Sequence, residues 1–297
     1  MRHELRVTGT RAAAISAALV GLLVVTHGAV YDTSAQARPE PPKSVRMYVF
    51  DCGVLKIADP MQLFGLKKEE VGATDLSDAA YLIVHPRGTL MFDSGTVPDS
   101  QFKGDGKPVV EGVISATQPL LPQFASTGYG VGDIDYFAMS HYHSDHTANA
   151  NLFAKATWIV QKAERDFMFS DKPTGIVQPA TYDALRNAKT KLLDNQDFDV
   201  FGDGSVVIMS TPGHTPGHQV LAVKLANAGT IVLGGDLYHY PEERTTGRTP
   251  TFEFNVDQSK TSRARIEKYL KDTHGTLWIE HDKATLAALP KAPKYVD

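Results

Sequence analysis

The six residues His141-Tyr142-His143-Ser144-Asp145-His146 carry three imidazoles and a carboxylate, and they directly follow the apolar stretch 136–139, Tyr-Phe-Ala-Met. A short apolar run ahead of a polar loop predicts a buried strand opening into a functional turn. Alternate side chains of an extended chain share a face, so His141 and His143 point the same way, while Asp145 and His146 follow the turn and can face a second centre. Four candidate ligands within six residues is the density of a metal site. Neutral imidazoles and carboxylates suit zinc and its first-row neighbours. A surface histidine cluster without metal is the weaker reading at this spacing.

Three later motifs extend the pattern. Thr211-Pro212-Gly213-His214-Thr215-Pro216-Gly217-His218 lies between two strand candidates, and its two Pro-Gly pairs fix a tight turn that can hold an imidazole at a strand end. Gly234-Gly235-Asp236 follows the apolar run 230–233 and presents a carboxylate where glycine permits close backbone approach. Trp278-Ile279-Glu280-His281-Asp282 places a further imidazole just past a strand. Singly, each is more often a hydrogen-bonding residue at a strand end than a ligand. Their joint order is far more specific.

Around these motifs the chain alternates strand-like and helix-like segments without internal repeats. Strands are expected at 45–50, 81–85 and 89–92, the last two joined by the turn Pro86-Arg87-Gly88, and then at 136–139, 157–160, 206–209, 220–225, 230–233 and 277–279. Helices are expected at 119–126, 162–169, 179–189 and 259–271, the last with Ser259 as N-cap. The mixture predicts a layered α/β domain. Residues 55–78 and 237–258 have no clear assignment, and long irregular stretches of this kind are often functional loops.

The chain has 297 residues, 42% of them hydrophobic and 22% charged, with a formal net charge of −4. This is the composition of a globular protein, and without a dense Lys/Arg run nucleic acid is not expected as a partner. Arg2, Arg6 and Arg11 precede and enter an apolar run over 12–25, and Ala35-Gln36-Ala37 is a small-residue cleavage signature. Residues 1–37 therefore read as a Sec-type signal peptide, leaving 38–297 as one domain, periplasmic or secreted and free of the membrane after cleavage. The run is shorter than the roughly 20 residues that span a bilayer; an uncleaved N-terminal anchor is the alternative. With one cysteine, Cys52, no intramolecular disulfide can form, and its apolar neighbours point to a buried strand residue rather than a nucleophile.

The order HxHxDH, Pro-Gly-His, Gly-Asp and a late His resembles the metallo-β-lactamase superfamily, and the likeness runs across 38–297. The resemblance implies an αββα sandwich with a dinuclear metal site at one edge. It assigns His141, His143 and His214 to one divalent ion, Asp145, His146 and His281 to the other, and Asp236 to a bridge between them. Zinc is the first expectation, with iron, manganese and cobalt as alternatives. His218 has no ligand role in the pattern and is expected to be a hydrogen-bonding residue beside the site. Water on such cations has its pKa lowered from 15.7 towards about 7, so hydrolysis needs no serine or cysteine nucleophile.

Local features choose among the hydrolases. Asp236 stands where true β-lactamases usually carry Cys or Ser. Few residues follow His281, so the helical domain of hydroxyacylglutathione hydrolases is not expected. The leader and acidic balance speak against the nuclease branches. The Glu280-His281-Asp282 context and the opening Met47-Tyr48-Val49-Phe50 look most like the N-acyl homoserine lactonases. Those commonly have Tyr three residues past the bridging Asp; here that position is His239, with Tyr238 before it.

The resemblance thus implies lactone ring opening by a metal-bridging hydroxide. His239 or Tyr238 would steady the oxyanion, and Asp145 would deliver a proton to the leaving alkoxide. Within 55–66, Met61, Leu63 and Phe64 could cover an acyl chain; core packing or a homodimer contact explains them about as well. The alternatives are an exported phosphotriesterase resembling methyl parathion hydrolase, another ester or β-lactam hydrolase of the same fold, and a non-catalytic metal-binding protein.

Overall fold

In the strand β1 (Arg46–Leu55), Met47 and Val49 belong to one apolar cluster and Tyr48 and Phe50 to another, as the two-residue period of an extended chain requires. Both faces of the strand are therefore covered. The computed structural model describes residues 38–297 except Lys172 and Thr174; the signal peptide expected over 1–37 lies outside the described residues.

Along the chain β1 is followed by β2 (Leu76–His85), β3 (Gly88–Phe92), β4 (Val109–Glu111), β5 (Ile114–Ala116), β6 (Tyr136–Ala138), β7 (Thr157–Gln161) and β8 (Thr190–Leu193). These form one sheet in the order β4-β5-β1-β2-β3-β6-β7-β8, antiparallel through β1, β2 and β3 and parallel from β3 to β8. The second sheet comprises β9 (Phe198–Asp199), β10 (Val206–Ser210), β11 (Gln219–Leu225), β12 (Gly229–Leu233) and β13 (Thr276–Trp278), with β12 and β13 parallel. The terminal β14 (Tyr295–Val296) pairs with β1.

Between the sheets, Met47, Ile83, Phe92 and Ile159 pack with Ile208, Leu221, Val223 and Leu233. The helices are α1 (Pro60–Phe64), α2 (Leu120–Ala125), α3 (Ser144–Thr147), α4 (Lys162–Met168), α5 (Pro241–Thr246), α6 (Val256–Thr273) and α7 (Lys283–Ala288). Leu120 and Phe124 of α2 and Met168 of α4 cover the outer face of the first sheet, against Phe50, Leu82 and Trp158. Ile266 and Leu270 of α6 cover the outer face of the second, against Val220, Ala222 and Val232. The layers are α, β, β, α.

Several elements differ from the sequence expectation. The helix expected from Ser259 begins at Val256, because Asn255 accepts from the backbone N–H groups of Asp257 (3.1 Å) and Gln258 (3.0 Å) and so caps it. Ser259 is buried in the first turns and donates instead to Glu253. The segment 179–189 forms two short 3-10 turns, Pro179–Thr181 and Asp183–Asn187, rather than an α-helix. Residues 55–78 include α1, capped by Asp59 and closed by Gly65, and the start of β2. Cys52 is a buried strand residue whose thiol burial pushes well up.

Candidate metal centre

Strand direction gathers the site. The strands β3, β6, β12 and β13 end, and the β10–β11 turn lies, where the chain passes from sheet to loop at one edge of the sandwich. Loops beyond the carboxyl ends of parallel strands are the usual place for ligand-binding residues in α/β folds. Gln219 N donates to Ser140 O at 2.9 Å, and Asp93 N donates to Ala138 O at 3.0 Å, so the loops are tied to each other at this edge.

Two glycines permit the close approach. Gly213 has φ +143, and a Cβ there would lie 2.2 Å from the backbone nitrogen of Ser259. Gly235 has φ +46, and its Cβ would lie 2.5 Å from Ser140 Cβ. Any other residue would push His214 or Asp236 away from the partners it now faces.

His141, His143, His214 and Asp236 converge in one buried group. His143 Nδ1 lies 2.9 Å from His141 Nε2 and 3.1 Å from His214 Nε2. Asp236 Oδ2 lies 3.2 Å from His214 Nε2 and 3.5 Å from His141 Nε2. Four ligands at about 2.0–2.1 Å in a tetrahedron are separated from each other by about 3.3 Å, so these spacings suit a zinc-sized ion.

A second group holds Asp145, His146 and His281. The other oxygen of Asp236, Oδ1, lies 2.9 Å from His281 Nε2 and 3.1 Å from His146 Nε2, and Asp145 Oδ2 stands 3.9 Å from each imidazole. The residues fit a pair of cations on a chemical ground as well. Asp145 Oδ1, His146 Nε2 and Asp236 Oδ1 are buried without a hydrogen-bond partner, a costly arrangement that a bound cation relieves.

The electrostatics distinguish the groups. Burial, reinforced by neighbouring imidazoles, holds His141 and His143 well below the ordinary histidine value. Burial opposes charge on His146 too, but Glu280, Asp236, Asp145 and Asp93 raise it well above that value. Burial also opposes ionisation of Asp236, yet His281, His141, His146 and His239 hold it well below the usual carboxylate range.

Supporting residues that sequence reasoning did not single out surround the ligand candidates. Asp93 Oδ1 accepts from Ser140 N at 2.7 Å, and Oδ2 lies 3.4 Å from His146 Nδ1. Its φ of +58 is unusual for a non-glycine residue. Glu280 Oε1 faces the same His146 nitrogen at 3.5 Å. Glu164 on α4 accepts from Tyr142 N (2.9 Å), Gly217 N (2.7 Å) and Thr215 Oγ1 (2.8 Å), stapling the HxHxDH loop to the Pro-Gly-His turn. The carboxylate after β3, in Phe92-Asp93-Ser94-Gly95, was the one available signal, an acid beside a glycine at a strand end.

His218 lies beside the centre with both nitrogens engaged: Nδ1 contacts Thr211 Oγ1 at 2.8 Å, and Nε2 accepts from Asp236 N at 3.1 Å. His239 is in the centre, its Nε2 3.1 Å from Asp236 Oδ2. Tyr238, the sequence alternative to it, turns away. Its hydroxyl donates to Glu267 at 3.2 Å, its ring lies under the Arg263 guanidinium, and it packs with Ile266 and Leu270 of α6. Consecutive residues of an extended chain face opposite ways, and this one faces the helix.

The family model of the metallo-β-lactamase superfamily matches residues 73–277. The N-acyl homoserine lactonase AttM of Rhizobium radiobacter is 28% identical over 263 residues, covering 84% of this chain and 98% of AttM. The N-acyl homoserine lactonase AiiA of Bacillus thuringiensis subsp. kurstaki is 25% identical over 228 residues, covering 73% and 85%. A crystal structure of N-acyl homoserine lactone hydrolase with the product N-hexanoyl-L-homoserine at its catalytic metal centre superposes with a TM-score of 0.68 at 22% identity, covering 84% of this chain and 98% of that one. With its layers, its strand-end loops and the matched region taken together, the chain belongs to the metallo-β-lactamase superfamily.

Proposed function

We propose that the protein is a dinuclear metallohydrolase that opens the lactone ring of N-acyl homoserine lactones. His141, His143 and His214 would hold one divalent cation and Asp145, His146 and His281 the other, with Asp236 facing both positions. The observation that carries the reading is the Asp236 carboxylate, whose two oxygens face two separate groups of imidazoles. When bound, the cations supply a hydroxide nucleophile near neutral pH and polarise the ester carbonyl. Zinc is the first choice for this nitrogen and oxygen donor set, and iron, manganese and cobalt also suit it.

The chain's own residues position the substrate and move the proton. Asp145 Oδ1, buried and without a partner, takes the proton set free in the attack and passes it to the ring oxygen as the C–O bond breaks. The product is the open-chain N-acyl homoserine. Phe64 and Phe252 pack their rings 5.0 and 5.5 Å from His239, forming an apolar wall for the acyl chain. Met61 and Leu63 on α1 are exposed, while Phe64 and Leu66 are buried in a small core with Leu55, Leu76 and Tyr240. Acyl-chain contact therefore falls to Met61 and Leu63 and the near edge of Phe64. The leader-like residues 1–37 support action in the periplasm or outside the cell.

The test is proton release by the purified protein with short- and long-chain N-acyl homoserine lactones, before and after chelation. The reading requires turnover that chelation stops and added zinc restores. A metal-loaded protein without lactone turnover but with aryl phosphotriester turnover would instead be a phosphotriesterase. One inert towards both would be a metal-binding protein without catalysis.

A further inference from the structure

The imidazoles facing Asp236 share one arrangement. His214 turns Nε2 to Asp236 Oδ2 at 3.2 Å and Nδ1 to Glu253 at 3.8 Å. His146 turns Nε2 to Asp236 Oδ1 and Nδ1 to Asp93 and Glu280 at 3.4 and 3.5 Å. His281 turns Nε2 to Asp236 Oδ1 and donates from Nδ1 to the Ser77 carbonyl at 2.7 Å. Metal-binding histidines commonly set an outer oxygen behind one nitrogen and leave the lone pair of the other for the ion; here that outer contact is a hydrogen bond at His281 and a longer electrostatic approach at His214.

His239 repeats the arrangement. Its Nε2 lies 3.1 Å from Asp236 Oδ2, its Nδ1 lies 3.5 Å from Glu243 Oε1, and its ring stacks on His281 at 5.6 Å and 10°. Glu243 is itself fixed by Arg263 at 2.9 Å, and the same guanidinium stands 3.8 Å from Glu253, the outer partner of His214. His239 is 2% exposed, and neither of its ring nitrogens has a hydrogen-bond partner. His218 is the contrast, because the protein engages both of its nitrogens. Asp236, His239 and His281 bring one donor atom each within 4.8 Å of one another.

We infer that His239 is a further metal ligand of the Asp236 centre, its Nε2 beside Asp236 Oδ2 and its ligand atom within 4.8 Å of those of Asp236 and His281, oriented by Glu243. A ligating Nε2 uses its lone pair on the ion and has no proton to give a substrate oxyanion, so under this inference the donor role expected from sequence gives way to ligation. The inference rests on the metal centre and not on the identity of the substrate.

Its test loads the full chain with Co(II) and compares visible absorption and retained metal in wild type, His239→Ala, His239→Gln and His141→Ala. Ligation by His239 changes the cobalt spectrum in both His239 variants and weakens retention of one of the two ions by at least about tenfold. Added imidazole restores the spectrum of His239→Ala, whereas a purely structural loss does not respond to it. His239→Gln guards against a folding defect, since the amide preserves much of the side-chain volume. Two ions held as tightly as in wild type, with an unchanged spectrum in His239→Gln, would overturn the inference. If His141→Ala were equally unaffected, the metal centre itself would fall; if only the His239 variants were unaffected, this assignment alone would.

Discussion

The two halves of the centre hold their ligands by different means. Around His141, His143 and His214 the imidazoles face one another, and burial keeps His141 and His143 far from protonation. Around Asp145, His146 and His281 the setting is rich in carboxyl groups, with Asp93 and Glu280 behind His146 and Asp78 nearby, burial pushing Asp78 and Glu280 well up. In the first half His141 and His143 are held neutral, while His214, between Asp236 and Glu253, is raised against its burial. The second gathers carboxylates behind its imidazoles, which favours a cation and penalises its absence. Asp236 belongs to both, so the halves should fail together when it is lost and separately when their outer partners are lost.

The largest effect is expected at that shared residue. Asp236→Ala should strip both ions and bring lactone turnover to background, as read by metal analysis and proton release. An active variant holding two ions would break the comparison. Asp93→Asn should weaken the ion on the His146 side by about 10–100-fold while sparing the other, measured by competition with a chelator. Glu280→Gln sharpens the point. Burial, against the pull of His146, raises the Glu280 carboxyl well above its ordinary value, so the neutral amide should matter less than Asn at Asp93.

Removing the staple should act on both halves through the fold. Glu164→Ala leaves the Tyr142 and Gly217 N–H groups without their buried acceptor, a loss of about 1–3 kcal/mol for each unsatisfied group. The thermal midpoint should drop and metal loading should fall with it. Phe64→Leu should change the ratio of long- to short-chain lactone turnover severalfold with both ions retained. An unchanged ratio would confine Phe64 to packing. The smallest effect is expected at Tyr238→Phe, which removes a hydrogen bond to Glu267 worth about 1 kcal/mol. Its kinetics should match wild type.

The candidate ligands were legible because chemistry concentrated them in short motifs at strand ends, and period-two apolar runs marked most core strands. Outer partners were harder to read. Glu164 reaches Thr215 and Gly217 from a helix some fifty positions away, and Glu243 reaches His239 from α5, within a stretch that sequence left unassigned. Such pairings are tertiary, so no local pattern carries them. The short strands β4, β5, β8, β9 and β14 were missed because pairing with neighbouring strands rather than an apolar period defines them. The Asn255 cap was missed because Ser259 was read as the N-cap, while Asn255, four residues earlier, accepts from the first-turn N–H groups.

The most direct test is a crystal structure of the zinc-loaded protein with anomalous scattering at the zinc edge. Two peaks about 3.5–4 Å apart, each beside a different oxygen of Asp236, are the expected result. A single peak, or two peaks with Asp236 beside neither, in crystals of protein that still turns over lactone would contradict the shared-carboxylate centre.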